Sequence, residues 1–241
     1  MLSWLRYFLI VIYLFLVGAV GILVCLARPF HPDNTRWFAR IYSWGGAAIL
    51  GIKIRRHNYD SLKDIGPCVY VVNHQHNFDL FICGRVVAKR TVTVGKKSLR
   101  WLPFFGQLYW LAGNVLIDRK NRKQSSATVN ASTQALTSKN TSIWVFAEGT
   151  RNRGINLLPF KKGAFQMAIE AGVPVIPICV SSYVKNMDLR RLKSGVAEIR
   201  VLPPIMTDLL TSEDIANLMK QCWDTMKETI EAMDRSVYSC S

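Results

Sequence analysis

Two hydrophobic patterns divide the chain into two parts. The stretch from Tyr7 to Ala27 is apolar and carries no charged residue. A second, weaker apolar stretch from Trp37 to Gly51 has Arg40 as its one charged residue. About 20 apolar helical residues suffice to cross a bilayer, so the first stretch predicts a membrane-associated helix and the second the other half of a hairpin. Two ordinary buried helices are the alternative. We therefore predict an N-terminal membrane anchor over residues 1–51 and a second domain over residues 52–241.

Beyond the anchor, short apolar runs alternate with amphipathic ones. The strand-like runs are Cys68 to Asn73, Ser142 to Ala147, Pro174 to Val180 and Ala197 to Leu202, and the helical runs are 127–139 and 163–172. This alternation predicts an α/β domain with a mostly parallel central sheet flanked by helices. The stretch from Ser212 to Ser236 has helical spacing of its apolar residues, and we expect its Met-rich stripe to pack into the core. That stripe contains Ile215, Leu218, Met219, Cys222, Met226, Ile230 and Met233.

The charge balance indicates which partners the chain attracts. There are 31 Lys plus Arg against 16 Asp plus Glu, a formal net charge of +15. Such a surface favours anionic partners, among them phospholipid headgroups, phosphorylated substrates, acidic carrier proteins and nucleic acid. We expect no nucleic-acid partner, because no recognisable nucleic-acid-binding pattern is present. Only Arg6 precedes the first apolar stretch whereas Arg28, Arg36 and Arg40 follow it, a bias that places the rest of the chain on the cytoplasmic side.

The cysteines and histidines do not indicate a metal site. The six cysteines form no C-x-x-C pair and most lie in apolar runs. They predict reduced, mostly buried thiols and a cytosol-facing body rather than a zinc site or a disulfide framework. The four histidines include two in the stretch "NHQHNFD", but no carboxylate–histidine metal pattern accompanies them, so we expect no metal.

The stretch "NHQHNFD" follows a predicted strand and contains the first candidate for chemistry. In open α/β sheets, ligands bind at the carboxyl ends of the strands. His74 and Asp79 lie about 140° apart on a continuous helix, so they can meet only if His74 is in the loop and Asp79 in the first helical turn. The carboxylate would then orient the imidazole as a general base. No G-x-S-x-G elbow supplies a nucleophile, which would come from a substrate hydroxyl. A capping or packing histidine is the alternative reading of His74, and His76 is expected to be a supporting loop residue.

A second candidate site, "EGTRNRG", follows another predicted strand. Gly149 and Gly154 would let the backbone turn and approach a ligand closely. Arg151 offers a fork that matches phosphate, and Thr150 adds a further donor. Glu148 would repel phosphate, so we expect it to orient Arg151 or to bind a substrate hydroxyl. A solvated turn is the alternative.

A third stretch, Val94 to Arg119, combines cations with many Trp, Phe and Leu residues. Its cations are Lys96, Lys97, Arg100 and Arg119, and a basic run continues to Lys123. A buried helix with solvated ends is one interpretation. The other is a surface that handles an amphiphile, with apolar walls for a chain and cations for a phosphate or for headgroups.

Four blocks in this order resemble the glycerolipid acyltransferase family. "NHQHNFD" resembles the family's N-H-x4-D block, "GNVLIDR" its second block, "FAEGTRNRG" its F-P-E-G-T-R-S block, and "VPVIPI" (Val173 to Ile178) its fourth. The likeness extends over residues 68–206. Two positions depart from the family pattern, with Ala147 where Pro is usual and Asn152 where Ser is usual, which leaves the geometry of this loop in question.

The resemblance implies acyl transfer from acyl-CoA or acyl-carrier protein to the 2-hydroxyl of a lysophosphatidic acid, giving phosphatidic acid. It makes His74 and Asp79 the catalytic pair. It assigns acceptor binding to Glu148, Gly149, Thr150 and Arg151, with Arg119 as a cation for the phosphate, and it places Val173 to Ile178 near the acyl site. Lys96, a cation of the third stretch, is a further candidate for substrate binding. It implies neither metal nor tightly bound cofactor. The backbone N–H groups of the His74 loop are candidate oxyanion donors.

Such an enzyme would work at the cytoplasmic face of the inner membrane, because its lipid substrate and product stay in the bilayer. Three other functions remain open at this stage. The acceptor could be glycerol 3-phosphate or another lysophospholipid, water could replace the acceptor in a thioesterase, or the chain could be a basic, membrane-tethered binding module. Only the enzyme hypotheses predict that function is lost with the His74 side chain.

Overall fold

The computed structural model describes residues 1–62, 65–118, 133, 136, 138–154 and 156–238. The helices are α1 (Leu2–Ala27), α2 (Asn34–Leu50), α3 (Asp79–Cys83), α4 (Phe105–Leu111), α5 (Gly163–Ala171) and α6 (Ile215–Tyr238). The strands are β1 (Ile52–His57), β2 (Val69–Val72), β3 (Thr91–Lys96), β4 (Val115–Ile117), β5 (Ser142–Phe146), β6 (Val175–Val180) and β7 (Gly195–Val201). The predicted helix over 127–139 falls mostly outside the described residues.

The strands form one sheet whose order is β1-β7-β6-β2-β5-β3-β4. The paired strands are parallel except for β6 and β7, which are antiparallel. The predicted fold class is therefore confirmed. Because β2, β5 and β3 are neighbours that run in the same direction, the loops after them meet at one edge of the sheet. Both predicted functional loops leave the sheet at this edge.

Each face of the sheet is covered by helices. Strand β2 shows why, since Val69 and Val71 point into one hydrophobic cluster and Tyr70 and Val72 into the other. The first cluster contains the Met-rich face of α6, whose Leu218, Cys222, Met226, Ile230 and Met233 are buried as predicted. The second cluster contains residues of α1, α2 and α3. The five cysteines in the described part of the chain are free and buried, as their apolar surroundings predicted.

The two N-terminal helices pack on the α/β body as well as on each other. Helix α1 contacts α2 and α4, and α2 contacts α3. A Cβ atom at Gly18 would lie 2.9 Å from Phe104 Cβ, and one at Gly21 2.7 Å from Leu108 Cδ2, so glycines let α1 approach α4 closely. Arg6 is buried and donates to two carbonyl oxygens of the body. The helical hairpin is thus fixed against the sheet domain, and the proposed boundary between residues 51 and 52 stays a prediction.

The outer face of α1 is apolar and exposed. Among the described helices, α1 alone has the length and mean hydropathy of a membrane span, with a mean hydropathy of 3.0 over its most apolar window. Its exposed side chains include Trp4, Leu5, Phe8, Val11, Phe15, Leu16, Val20, Leu23 and Leu26. Exposed apolar surface of this extent indicates contact with a membrane.

Candidate active site

His74 and Asp79 meet at the carboxyl edge of the sheet. His74 lies in the loop after β2, and Asp79 is the first residue of α3. Their contact joins His74 Nδ1 to Asp79 Oδ2 over 2.6 Å. The pairing predicted from the spacing is therefore confirmed. A carboxylate can only accept, so Nδ1 carries the hydrogen and Nε2 is the nitrogen left for a substrate.

Three further groups of the protein donate to the Asp79 carboxylate, which is 1% exposed. The main-chain N–H groups of Gln75 and His76 donate to Oδ2 over 2.6 and 3.1 Å. The hydroxyl of Tyr183 donates to Oδ1 over 2.6 Å. Burial, followed by the charge of Asp79, raises the pKa of Tyr183 well above its usual value, so the phenol remains a donor. These bonds satisfy a carboxylate that would be costly to bury alone.

The His74 ring is held from two sides. It stacks on Phe146, the last residue of β5, with ring centroids 4.1 Å apart and planes at 20°. The main-chain N–H of His74 donates to Glu148 Oε1 over 2.6 Å. Stacking on Phe146 thus fixes the plane of the imidazole, and the hydrogen bond to Asp79 prevents the ring from flipping. A general base needs this restriction, because proton transfer depends on its position relative to the hydroxyl.

His76 supports the loop, as the sequence predicted. Its Nδ1 accepts from the Phe78 main-chain N–H over 3.4 Å, and its ring contacts that of Phe78 at 4.4 Å. Burial lowers the pKa of His76. The charges of Arg151 and His74 lower this pKa further, whereas the negative charge of Asp79 opposes the shift. The accepting role of Nδ1 agrees with a neutral ring. The influence of Arg151 also shows that this arginine lies near the catalytic loop.

Glu148 joins the two functional loops. Its side chain is 1% exposed and accepts from the main-chain N–H groups of His74 and Leu158 and from Asn152 Nδ2. Burial raises its pKa although these bonds oppose the shift. Because protein donors engage both oxygens, the geometry favours a positioning role for Glu148 over contact with a substrate hydroxyl. Arg151 is not among its hydrogen-bond partners.

The two departures from the family pattern have structural counterparts. Asn152 donates to both oxygens of Glu148 and accepts the Gly154 N–H at Oδ1 over 2.8 Å. Its own main-chain N–H donates to the carbonyl of His74 over 2.8 Å. Ala147 donates its N–H to Val72 over 3.3 Å, a bond that proline could not make. The residues in question therefore tie the loop to β2 and to the catalytic loop.

Among the remaining predicted binding residues, Gly149, Thr150 and Arg151 lie in the loop after β5, and Lys96 ends β3. Thr150 and Arg151 are exposed, and Lys96 is exposed at the end of β3, two strands from β2 and about 10 Å away across the sheet. Gly149 and Gly154 have φ of +70° and +73°, the left-handed region in which glycine is favoured. Their predicted turn is thus present. Arg119 lies outside the described residues, so its role stays a prediction.

One expectation needs correction, and a second stays untested. The main-chain N–H groups of His74, Gln75 and His76 donate to Glu148 and Asp79, so these three amides are not available to an oxyanion. The spacing could not show that two neighbouring carboxylates use these amides. In the block Val173 to Ile178, residues from Val175 onward are buried in β6 beside β2. They support the catalytic strand from within the core, and their place near the acyl site stays a prediction.

The aromatic and basic stretch that follows β3 forms a cleft. The cleft has a volume of about 670 Å³ and is lined by Lys97, Arg100, Gly106, Gln107, Trp110, Asn114, Leu116 and Asp118. Lys97 pairs with Asp118 over 3.8 Å. Cations and apolar groups occur together here, as the predicted amphiphile-handling surface requires. In the described part of the chain, no three His, Cys, Asp or Glu side chains gather as a metal site would need.

Sequence reasoning missed two residues of the site, Tyr183 and Phe146. Tyr183 lies in a short 3₁₀ turn after β6, more than 100 residues from Asp79. Phe146 is one residue of an ordinary apolar strand. No local signal marks either of them. Only the sheet order, which places β5 and β6 on the two sides of β2, could have indicated them.

An α/β sheet with a buried histidine–aspartate pair at its carboxyl edge defines the site of an acid–base enzyme. A family model described as acyltransferase matches residues 53–181. The chain is 40% identical over 237 residues to the 1-acyl-sn-glycerol-3-phosphate acyltransferase of Escherichia coli, covering 98% of this chain and 96% of that protein. It is 39% identical over 241 residues to the protein of that name from Haemophilus influenzae, with 98% of each chain covered. The chain belongs to the acyltransferase family and is an enzyme.

A solved structure shows the same fold. It is the 1-acyl-sn-glycerophosphate acyltransferase of Thermotoga maritima, which superposes with a TM-score of 0.75 and covers 96% of this chain and 94% of that one. The two sequences are 20% identical. At this identity the likeness supports the fold, including the helices that precede the sheet, and carries no residue roles.

Proposed function

We propose that this enzyme transfers a fatty acyl group from a thioester to the 2-hydroxyl of 1-acyl-sn-glycerol 3-phosphate, forming phosphatidic acid in phospholipid biosynthesis. The observation that carries the proposal is the His74–Asp79 pair, in which Asp79 is buried and the His74 side chain is 19% exposed. The names of the relatives and the order of the four sequence blocks support the choice of acceptor. Acyl-CoA and acyl-carrier protein are both suitable donors, and the reaction needs neither metal nor bound cofactor.

In the proposed mechanism, His74 Nε2 takes the proton of the acceptor hydroxyl as its oxygen attacks the thioester carbonyl carbon. Asp79, hydrogen-bonded to Nδ1, stabilises the imidazolium that forms. The tetrahedral intermediate then breaks its C–S bond, and the imidazolium returns the proton to the leaving thiolate. Base catalysis of this kind is worth about 10²–10⁴-fold, and orienting two substrates adds to it.

Acceptor binding is assigned to the exposed groups around the pair. Arg151 matches the phosphate with its planar fork, and Lys96 adds charge from the neighbouring strand end. Thr150 is a further exposed donor on the same loop. Arg119 retains the role that the family resemblance gives it. Glu148 and Asn152 position these groups by joining the loop after β2 to the loop after β5.

We further propose that α1 lies along one leaflet instead of crossing the bilayer. The helix contacts the catalytic body from Arg6 to Gly21, so most of its length cannot enter the hydrocarbon without the body. Its exposed apolar face would sink into the interface, which brings the active site to the level of a lysophospholipid headgroup. The net charge of +15 favours the anionic surface of the cytoplasmic face of the inner membrane.

The test is release of free thiol from long-chain acyl-CoA by purified membranes containing the wild type or His74→Ala. Each is assayed with and without 1-acyl-glycerol 3-phosphate, and phosphatidic acid is quantified. We expect thiol release that requires both the acceptor and His74. Release without acceptor would indicate a thioesterase, and acceptor-dependent release that survives in His74→Ala would contradict the general-base role.

Two further arms identify the substrates. Replacing the acceptor by glycerol 3-phosphate tests the alternative acceptor, which should give little product. Replacing acyl-CoA by acyl-carrier protein tests the donor, and activity with either thioester agrees with the proposal. Absence of acyl transfer with both donors would contradict it.

A further inference from the structure

Four arginines form a cluster around α2, which we call the arginine cluster: Arg36, Arg40, Arg56 and Arg85. Arg40 donates to the hydroxyl of Tyr59, and the Arg56 guanidinium lies 4.9 Å from the centroid of that same ring. The Arg85 guanidinium lies 4.4 Å from the ring centroid of Trp44, one turn beyond Arg40 on the same helix. Tyr59 thus joins Arg40 to Arg56 and Trp44 joins Arg85 to α2, while Arg36 lines the same groove as Arg40 and Trp44.

No carboxylate of the described residues forms an ion pair with any member of the arginine cluster. Asp33, just before α2, accepts instead from the main-chain N–H of Arg90. The Nε atoms of Arg36 and Arg85 are buried without a hydrogen-bond partner. Burial, and after it the positive charge of Arg56, lower the pKa of Arg85, so these two cations lie close enough to interact. Crowded, part-buried cations favour a nearby counter-charge, and no described carboxylate pairs with them.

A groove opens beside the arginine cluster, between α1 and α2. It has a volume of about 400 Å³ and is lined by Tyr13, Arg36, Trp37, Arg40, Ile41 and Trp44. Trp37 and Trp44 are 60% and 67% exposed. Tyr13 belongs to α1, so the groove continues the exposed apolar face of that helix. Tryptophan and arginine side by side are typical of the headgroup level of a membrane.

We propose that the arginine cluster binds the phosphate of an anionic membrane phospholipid whose acyl chains lie against the tryptophans of the groove. Guanidinium groups match phosphate oxygens with paired, charge-assisted hydrogen bonds. The continuity of the groove with the apolar face of α1 selects a lipid over a free anion. None of the residues that line the groove belongs to the His74–Asp79 site. The lipid is therefore a structural ligand and not the substrate, an inference that goes beyond the proposed function.

The test uses the full-length protein purified in detergent and native mass spectrometry with short-chain phosphatidylglycerol. We expect one lipid bound per chain. Arg36→Gln/Arg40→Gln should weaken that binding by more than tenfold. The control Arg190→Gln/Arg191→Gln removes the same charge from an exposed loop and should bind as the wild type does. Phosphatidylcholine, which has no net negative charge, should bind more weakly than phosphatidylglycerol.

A second variant keeps the test decisive if the first one folds poorly. Arg36→Lys/Arg40→Lys preserves the charge but removes the fork, so its affinity should lie between those of the wild type and the Gln variant. Wild-type affinity in both variants would overturn the proposal. So would equal binding of phosphatidylcholine, or displacement of phosphatidylglycerol by inorganic phosphate at the same concentration. Phosphatidylglycerol is not the proposed acceptor, so this result is independent of the acyl-transfer assay.

Discussion

At the residue scale, the site depends on how Asp79 is held. The carboxylate accepts from a side chain and two amides of its own loop and from Tyr183, which is distant in sequence. The local bonds shape the turn, whereas Tyr183 fixes the carboxylate relative to β6. Of the first set, the His74–Asp79 spacing predicted the contact with the His74 side chain and not the bonds from the two amides. It could not reveal the second, because no spacing rule connects a strand end to a loop so far along the chain.

We expect Tyr183→Phe to lower kcat about tenfold, because a hydrogen bond to a charged group is worth about 1.5–3 kcal/mol and only part of that acts on the transition state. KM for the acceptor should change little, since Tyr183 contacts Asp79 rather than substrate. Steady-state kinetics measure both values. Tyr42→Phe is the control, because it also removes a buried hydroxyl, one that bonds to Leu14 away from the site. Wild-type kcat in Tyr183→Phe would show that Asp79 needs no such support.

Asn152 gives a second prediction at this scale. Asn152→Ala leaves the buried Glu148 without its side-chain donor, which should cost about 1–3 kcal/mol of folding stability and lower activity. Asn152→Ser, the residue usual in the family, keeps a hydroxyl that can donate and should lose less. Thermal unfolding and acyl-transfer rates measure the difference. Equal losses in the two variants would mean that the donor to Glu148 is not what matters here.

At the scale of elements, the sequence predicted the buried parts of the fold best. Strands β2 and β6 are continuous apolar runs, and each was predicted within a residue of its bounds. Three strands were not predicted, and each has a weak pattern. Strand β1 carries four cationic or histidine side chains in six residues, β3 contains two threonines and a glycine, and β4 has three residues. Pairing in the sheet determines these strands more than their own composition does.

The packing of α2 on α3 positions Asp79, and a substitution between these two helices tests it. A Cβ atom at Gly84, just after α3, would lie 2.1 Å from the carbonyl oxygen of Ala39 in α2. Gly84→Ala must therefore push the two helices apart, which should cost about 1–3 kcal/mol and lower activity through Asp79. Gly66→Ala is the control, because nothing lies within 4 Å of its added Cβ. Equal melting temperatures for the two variants would refute this account of the helix contact.

At the scale of the whole molecule, the hairpin and the α/β body behave as one structure. The sequence predicted a boundary at residue 51, because residues 1–51 are mostly apolar whereas the rest of the chain combines apolar and charged residues. The structure shows contacts across that point. Arg6 of α1 donates to the carbonyl oxygens of Leu189 and Leu192 over 3.0 and 2.7 Å, and the Tyr7 ring lies 6.3 Å from that of Phe78 in the catalytic loop. A charged residue near the start of an apolar helix, interpreted from sequence as a flanking charge, thus ties the helix to the loop that precedes β7.

The two hydrogen bonds of Arg6 predict how readily the loop before β7 opens. Arg6→Met keeps the volume but removes both bonds, a loss of about 2 kcal/mol or more, which corresponds to more than tenfold more frequent local opening. Because Arg190 and Arg191 are exposed in that loop, trypsin should cleave Arg6→Met there at least several times faster than the wild type. Arg28→Met, at the other end of α1, should be cleaved at the wild-type rate. If all three proteins are cleaved equally fast, Arg6 does not hold the loop, and α1 is fixed by its packing on α2 and α4.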